Sequence, residues 1–110
     1  MRLMVLSLCL TLAGTAEAKR VYEGEEAAAL RCSNTLAFTA VALNRAELIG
    51  AQEKDVMLRV TLLILERHVS GSWPQKKAAL RVMRDRRSVP ETLADYRRIA
   101  ARCLRQFPIN

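Results

Sequence analysis

Aromatic residues, glycine, proline and histidine are all scarce in this 110-residue chain. Tryptophan, tyrosine and phenylalanine make up 5% of it, and there are four glycines, three prolines and one histidine. The glycines form no phosphate-binding pattern, so the chain carries no nucleotide-binding motif. A single histidine without a closely spaced pair of cysteines also lacks the ligand spacing of a zinc site. The composition therefore predicts neither a metal nor a cofactor.

Residues suited to catalysis are equally scarce. His68 has Glu66 as its nearest carboxylate, and residues two apart on a helix point in different directions. Gly71 stands between two serines, whereas the nucleophile elbow of hydrolases requires glycines on both sides of one serine. No recognisable motif places two carboxylates as a catalytic pair. Glu91 is explained instead as part of a helix cap. We therefore expect a protein that is not an enzyme.

The one long apolar run lies at the N-terminus and is too short to cross a bilayer. It extends from Leu3 to Leu12, whereas a membrane-spanning helix needs about 20 apolar residues. Arg2 precedes the run, and Ala16-Glu17-Ala18 has the small-residue spacing of a signal-peptide cleavage site. A lipoprotein signal is disfavoured because Cys9 lies in the middle of the run; an uncleaved anchor and a buried N-terminal helix are further alternatives. The sequence predicts a signal peptide over residues 1–18 and a single domain over residues 19–110, in a periplasmic or secreted protein that does not span the membrane.

Cleavage after Ala18 leaves two of the three cysteines, Cys32 and Cys103. Two cysteines in an exported domain of this size are more often paired than free. In the chain-entropy model, a bridge that closes a loop of about 70 residues restricts the unfolded chain by roughly 4 kcal/mol. We therefore predict a Cys32–Cys103 disulfide, the alternative being two buried cysteines that are not bonded to each other.

Glycine, proline and serine interrupt the mature chain at residues 50, 71–74 and 88–90 and divide it into four helical segments. The first, over about residues 25–48, is apolar on most sides, which is typical of a helix at the centre of a core. Gly50 is expected to end it. The second covers about residues 52–69; part of it would also suit a strand, but no convincing second strand exists to pair with it. The third is short, over about residues 75–85.

The last helical segment has the clearest signal. Ser88 and Glu91 form a capping-box pattern at its start. Apolar residues then recur at helical spacing on one predicted buried face: Leu93, Tyr96, Ala100, Cys103, Leu104 and Phe107. The sequence therefore predicts an all-α fold, a small bundle of three long helices and one short helix, in which the disulfide links the first helix to the last.

Positive charge is concentrated in the last third of the chain. Residues 19–75 contain seven basic and seven acidic side chains, whereas residues 76–105 contain ten basic and three acidic ones. Arginine can donate two parallel hydrogen bonds to a carboxylate or a phosphate, and charge of one sign attracts anions before contact. An arginine-rich surface without a ligand is the alternative. The predicted anion- or partner-binding residues are Arg84, Arg86, Arg87, Arg98, Arg102 and Arg105.

These features favour an exported, non-enzymatic binding protein whose basic C-terminal third docks onto an acidic protein or an anionic component of the cell envelope. Two other functions stay open. One is a small periplasmic chaperone or assembly factor that offers apolar helical surface to its clients. The other is a cytosolic nucleic-acid binder, which requires that residues 1–18 are retained. If the protein is exported, no nucleic-acid partner is expected.

Overall fold

The computed structural model describes residues 20–110, so the predicted signal peptide, with Cys9 and the cleavage site, lies outside the described residues. The described chain forms four α-helices: α1 (Gly24–Arg45), α2 (Ala51–His68), α3 (Trp73–Asp85) and α4 (Val89–Gln106). It contains no strand over residues 20–110, and α3 is the shortest helix. The predicted all-α bundle of three long helices and one short helix is confirmed.

Helix α1 lies at the centre of the fold. It packs against α2, α3 and α4, whereas these three pack mainly on α1. This arrangement agrees with the apolar character of α1 on most of its sides, because each side faces a different neighbour. The buried apolar residues of the core are Ala29, Leu30, Cys32, Leu36, Ala40, Ile64, Leu65, Val69, Cys103 and Phe107.

A disulfide joins Cys32 of α1 to Cys103 of α4, as predicted, with a Cα–Cα distance of 5.7 Å. Both cysteines are almost fully buried, at 2% and 4% exposure. Cys103 lies near the end of α4, and Cys32 lies in the first half of α1. The bridge therefore fixes the last helix of the chain to the central one.

The end of α1 differs from the prediction. The helix ends at Arg45, and Gly50 instead precedes α2 with an ordinary φ of −80°. Glu47 adopts the left-handed conformation with φ 60°, and the N–H of Leu48 donates to the carbonyl of Leu43 at 2.9 Å. This is a Schellman ending, in which glycine is the usual left-handed residue. Because Glu47 occupies that position, the sequence contains no glycine that marks the true end of the helix.

Serine caps begin both of the last two helices. Ser72 accepts a hydrogen bond from the backbone N–H of Gln75 at 3.3 Å, and the Gln75 side chain accepts one from the backbone N–H of Ser72 at 3.0 Å. In α4, Ser88 accepts from the N–H of Glu91 at 3.2 Å, which is one of the two bonds of the predicted capping box; the return bond from the Glu91 side chain is not formed. These bonds satisfy N–H groups that have no partner within the helix.

The segment before α1 is fixed to the turn between α2 and α3. Arg20 donates to the Ser70 hydroxyl, and the Tyr22 hydroxyl donates to the Ser70 carbonyl, each at 2.7 Å. The Glu26 carboxylate accepts from both the N–H and the hydroxyl of Ser70, also at 2.7 Å. Gly71 follows with φ 95°, and a Cβ there would lie 2.8 Å from the Tyr22 hydroxyl. This polar cluster holds residues 20–22 against the body of the protein.

Between residues 20 and 110, none of the helices combines the length and the apolar character needed to cross a membrane.

Candidate anion-binding surface and groove

The predicted arginines of α4 lie on one exposed face of the helix. Arg98, Arg102 and Arg105 are spaced at i, i+4 and i+7, which places them in a row on one side. All three are exposed, and Arg102 and Arg105 make no hydrogen bond or ion pair with any residue between 20 and 110. Exposed alanines, Ala94 and Ala101, lie on the same side of the helix. We call Arg98, Arg102 and Arg105 the α4 arginine row.

Asp95 neutralises part of the predicted cluster. It is buried, although it carries a carboxylate, and it pairs with both Arg87 and Arg98. The side chain of Arg87 is 32% exposed, whereas that of Arg98 is 71% exposed. Glu91 adds a second and longer contact to Arg87, at 3.9 Å. Arg87 is thus held by the start of α4, while most of the Arg98 side chain stays accessible.

Two other basic residues of the last third contribute little free charge. Arg84 pairs with its neighbour Asp85 at 3.4 Å, and both side chains are exposed. Lys76 is buried, and its ammonium group donates to the Leu65 carbonyl at 3.0 Å in the last turn of α2. The same group lies 4.7 Å from the centre of the Trp73 ring. A lysine that caps a helix in this way stabilises the turn, because it compensates the negative end of the helix dipole.

A groove of about 490 Å³ runs between α1, α3 and the segment before α1. Pockets for small ligands have volumes of about 300–1,000 Å³ and are mostly apolar, with a few polar groups. The apolar lining comes from all three segments, and several of its side chains are small: Val21, Ala27, Leu30, Ala78, Ala79, Val82 and Met83. Of these lining residues, Val21 is 80% exposed.

Four arginines line the same groove, namely Arg20, Arg31, Arg86 and Arg87, and none of the lining residues from the described part of the chain, residues 20–110, is an aspartate or a glutamate. Arg20 is engaged with Ser70, and its guanidinium lies 5.4 Å from the centre of the Tyr22 ring. Arg87 is engaged with Asp95. Within residues 20–110, the side chains of Arg31 and Arg86 have no hydrogen-bond or ion-pair partner. The groove therefore combines an apolar floor with two uncompensated guanidinium groups.

The six predicted arginines thus fall into three groups. Arg86 and Arg87 lie at the groove, Arg98, Arg102 and Arg105 form the α4 arginine row, and Arg84 belongs to neither. Sequence reasoning missed Arg20 and Arg31, because both lie in the half of the chain without net charge. For Arg31, the sequence does contain one signal: Ala27 and Arg31 are four residues apart, which places an arginine next to a small residue on one face of α1.

Glu26 and Tyr22, next to the groove, have shifted pKa values. The backbone and side-chain hydrogen bonds from Ser70 lower the pKa of Glu26, since they stabilise its charged form. Partial burial raises the pKa of Tyr22, although the nearby positive charge of Arg20 opposes that shift. Glu26 is therefore a carboxylate at neutral pH that holds the turn at Ser70.

His68 lies away from the groove, at the end of α2. Its Nε2 atom is 2.8 Å from the carbonyl oxygen of Pro108, and its ring meets that of Phe107 edge to face at 5.4 Å. These contacts tie α2 to the C-terminal segment. No group of three histidine, cysteine, aspartate or glutamate side chains in residues 20–110 is arranged to hold a metal ion.

Comparison with known proteins gives no guide to function, because no protein-family model, curated protein or solved structure matches the chain.

Proposed function

We propose that this chain is an exported, non-enzymatic binding protein that docks onto an anionic surface of the cell envelope. The observation that carries the proposal is the α4 arginine row. Its three side chains share one exposed helix face, and Arg102 and Arg105 have no acidic partner within residues 20–110. Guanidinium groups donate pairs of hydrogen bonds to phosphates, so such a row complements a surface of phosphate groups.

The shape of this face favours a broad surface over a concave acidic protein. The small side chains of Ala94 and Ala101 lie beside the arginines on the outer side of α4. Long arginine side chains next to alanines can reach one plane together, since nothing larger stands between them. Each basic residue near an anionic membrane surface contributes about 1 kcal/mol of attraction.

Two features support export. Residues 1–18 have the sequence pattern of a cleavable signal peptide. Cys32 and Cys103 are bonded, and disulfides persist mainly in oxidising compartments such as the periplasm and the extracellular space. The nucleic-acid alternative is therefore the weaker one, because it requires a protein that stays in the cytosol.

The chaperone alternative receives less support from the exposed apolar residues of α2. Val56 and Leu62 are both exposed, but they are six residues apart. That spacing separates them by about 120° around the helix, so they do not form one continuous patch. A client-binding surface needs contiguous apolar area.

Vesicle sedimentation tests the proposal. The purified protein, with its disulfide intact, is mixed with vesicles that contain phosphatidylglycerol and, in parallel, with vesicles of phosphatidylcholine alone. We expect binding to the anionic vesicles only, and a steep loss between about 0.05 M and about 0.3 M salt, because salt screens exposed charges. Arg102→Glu/Arg105→Glu should weaken binding by at least about tenfold.

The matched control is Arg59→Glu/Arg67→Glu, which changes the net charge equally at two exposed arginines of α2. It should keep most of the binding. Equal losses in the two variants would show that net charge, and not the α4 arginine row, is responsible. Absence of binding to anionic vesicles at low salt would reject the envelope surface and leave an acidic protein as the partner to seek.

A further inference from the structure

We infer that the groove between α1 and α3 binds one anionic amphiphile, a single-chain lipid with a phosphate monoester headgroup. This site is separate from the α4 arginine row, and its occupation does not depend on the proposed docking. The inference rests on the apolar floor, the four arginines and the absence of acidic side chains among the lining residues between 20 and 110. A ligand that complements this groove needs a negative charge for the arginines and an apolar chain for the floor. This class of ligand has both.

The apolar part of the groove suits an extended hydrocarbon chain. Ala27 on α1 and Ala78 and Ala79 on α3 leave room along the floor because their side chains are short, and Leu30 and Met83 add apolar contact. The volume of about 490 Å³ is that of a small-ligand pocket. A protein partner would need about 800 Å² of its surface buried, which this groove alone does not provide.

The two unpaired arginines of the groove favour phosphate over carboxylate. Arg31 on α1 and Arg86 after α3 both line it, and neither has another partner within residues 20–110. A phosphate monoester carries a charge of about −1.5 to −2 at neutral pH and has three acceptor oxygens. It can therefore accept paired hydrogen bonds from two guanidinium groups, whereas a carboxylate has two oxygens and one charge.

The remaining two lining arginines lie at opposite ends of α3, and other residues hold each of them in place. Arg20 is fixed by its hydrogen bond to Ser70, and Arg87 by its ion pair with Asp95. Asp95 offsets the charge of Arg87, so Arg87 contributes a guanidinium of fixed orientation and not a free positive charge. Preorganised charges bind more tightly than mobile ones, since less side-chain entropy is lost when the ligand enters.

Isothermal titration calorimetry with three ligands that share one chain tests the inference. The ligands are dodecyl phosphate, dodecanoate and dodecylphosphocholine, each below the concentration at which it forms micelles. We expect binding of one dodecyl phosphate per protein, at least about tenfold more tightly than the other two ligands. Equal affinity for dodecylphosphocholine would show unspecific apolar binding and overturn the inference. Equal or tighter binding of dodecanoate would overturn the phosphate assignment.

Two variants assign the site. Arg31→Gln/Arg86→Gln should weaken dodecyl phosphate by at least about tenfold, because it removes both free guanidinium groups. Arg59→Gln/Arg67→Gln is the control on α2, and it should bind like the unchanged protein. Ala78→Leu fills the floor and should weaken all three ligands together. Thermal unfolding followed by circular dichroism confirms that each variant is folded; folded variants with unchanged binding would overturn the inference.

The outcomes separate this site from the proposed docking surface. Arg102→Glu/Arg105→Glu should lose vesicle binding and keep dodecyl phosphate, whereas Arg31→Gln/Arg86→Gln should do the reverse. If dodecyl phosphate binds but anionic vesicles do not, the docking proposal fails alone. If vesicles bind but dodecyl phosphate does not, the groove inference fails alone.

Discussion

Single carboxylates decide much of the electrostatic organisation around the groove. Asp95 is buried and pairs with Arg87 and Arg98, so two of the six predicted binding arginines also have a structural role. Removing one partner of a buried ion pair is costly, because the other charge is left without compensation. Substitution of Arg87 would therefore mix folding and binding effects. Arg31, Arg86, Arg102 and Arg105 are the better residues for testing binding.

Glu26 makes the stability of the fold depend on pH. Its hydrogen bonds from Ser70 lower its pKa below the ordinary 4.5 of a glutamate. A group whose pKa is lower in the folded state stabilises that state above its ordinary pKa, and this contribution is lost as the pH falls through the lower folded value. We expect Glu26→Gln to lower the melting temperature at pH 7, and the difference from the unchanged protein to shrink below about pH 4.5.

Thermal unfolding between about pH 2 and pH 7 measures this difference. Glu25→Gln is the control, since Glu25 also lies in the first turn of α1 but does not bond Ser70. The two variants share any effect on the helix dipole. A difference for Glu26→Gln that is equally large at low and neutral pH would contradict a role for its charge.

At the scale of helices, periodicity and caps were sufficient to predict the four elements. The apolar first segment did become the central helix α1, and Ser88 does begin α4. The end of α1 was wrongly predicted, because Glu47 adopts a conformation that favours glycine. The prediction that Leu104 lies on the buried face of α4 is also wrong, because its side chain is exposed. Asp95 is instead buried on this helix, where its partners Arg87 and Arg98 compensate its charge.

The left-handed residue at the end of α1 predicts a stabilising substitution. Glu47 has φ 60°, and its N–H donates to the Asn44 carbonyl at 3.0 Å within the Schellman ending. A residue with a Cβ is disfavoured in this conformation by roughly 1–2 kcal/mol, whereas glycine is not. We expect Glu47→Gly to raise the free energy of unfolding by about 0.5–1 kcal/mol, after the greater entropy of glycine in the unfolded chain is subtracted.

Urea unfolding of Glu47→Gly and Glu47→Ala measures this effect. Alanine removes the same carboxylate but keeps the Cβ, so it should not give the increase. If alanine stabilised the protein as much as glycine, the cause would be the lost charge and not the backbone conformation.

At the scale of the whole molecule, the groove was beyond sequence reasoning. It requires Arg20, before the first helix, to line one groove with Arg31 of α1 and Arg86 after α3. Arg20 and Arg31 lie in a region where basic and acidic residues balance, so charge counts do not single them out. Helical periodicity does not specify which helix faces leave a gap between them. The cysteine pairing was predictable because only two cysteines remain after the proposed cleavage. The groove, by contrast, results from the way three helices pack on α1.

The disulfide is the one covalent link across this fold, within residues 20–110, and it should dominate global stability. It joins residues 71 apart in sequence and connects α1 with α4, which are brought together otherwise only by packing.

We expect Cys32→Ala/Cys103→Ala to lower the free energy of unfolding by about 2–4 kcal/mol, because the unfolded chain regains the entropy of a long open loop. Urea unfolding of the variant and of the oxidised protein measures the loss. The unchanged protein unfolded with a reductant should show a loss of similar size, since the covalent link is absent in both. Coincident unfolding of the oxidised and reduced protein would contradict this prediction and show that helix packing alone holds α4 on α1.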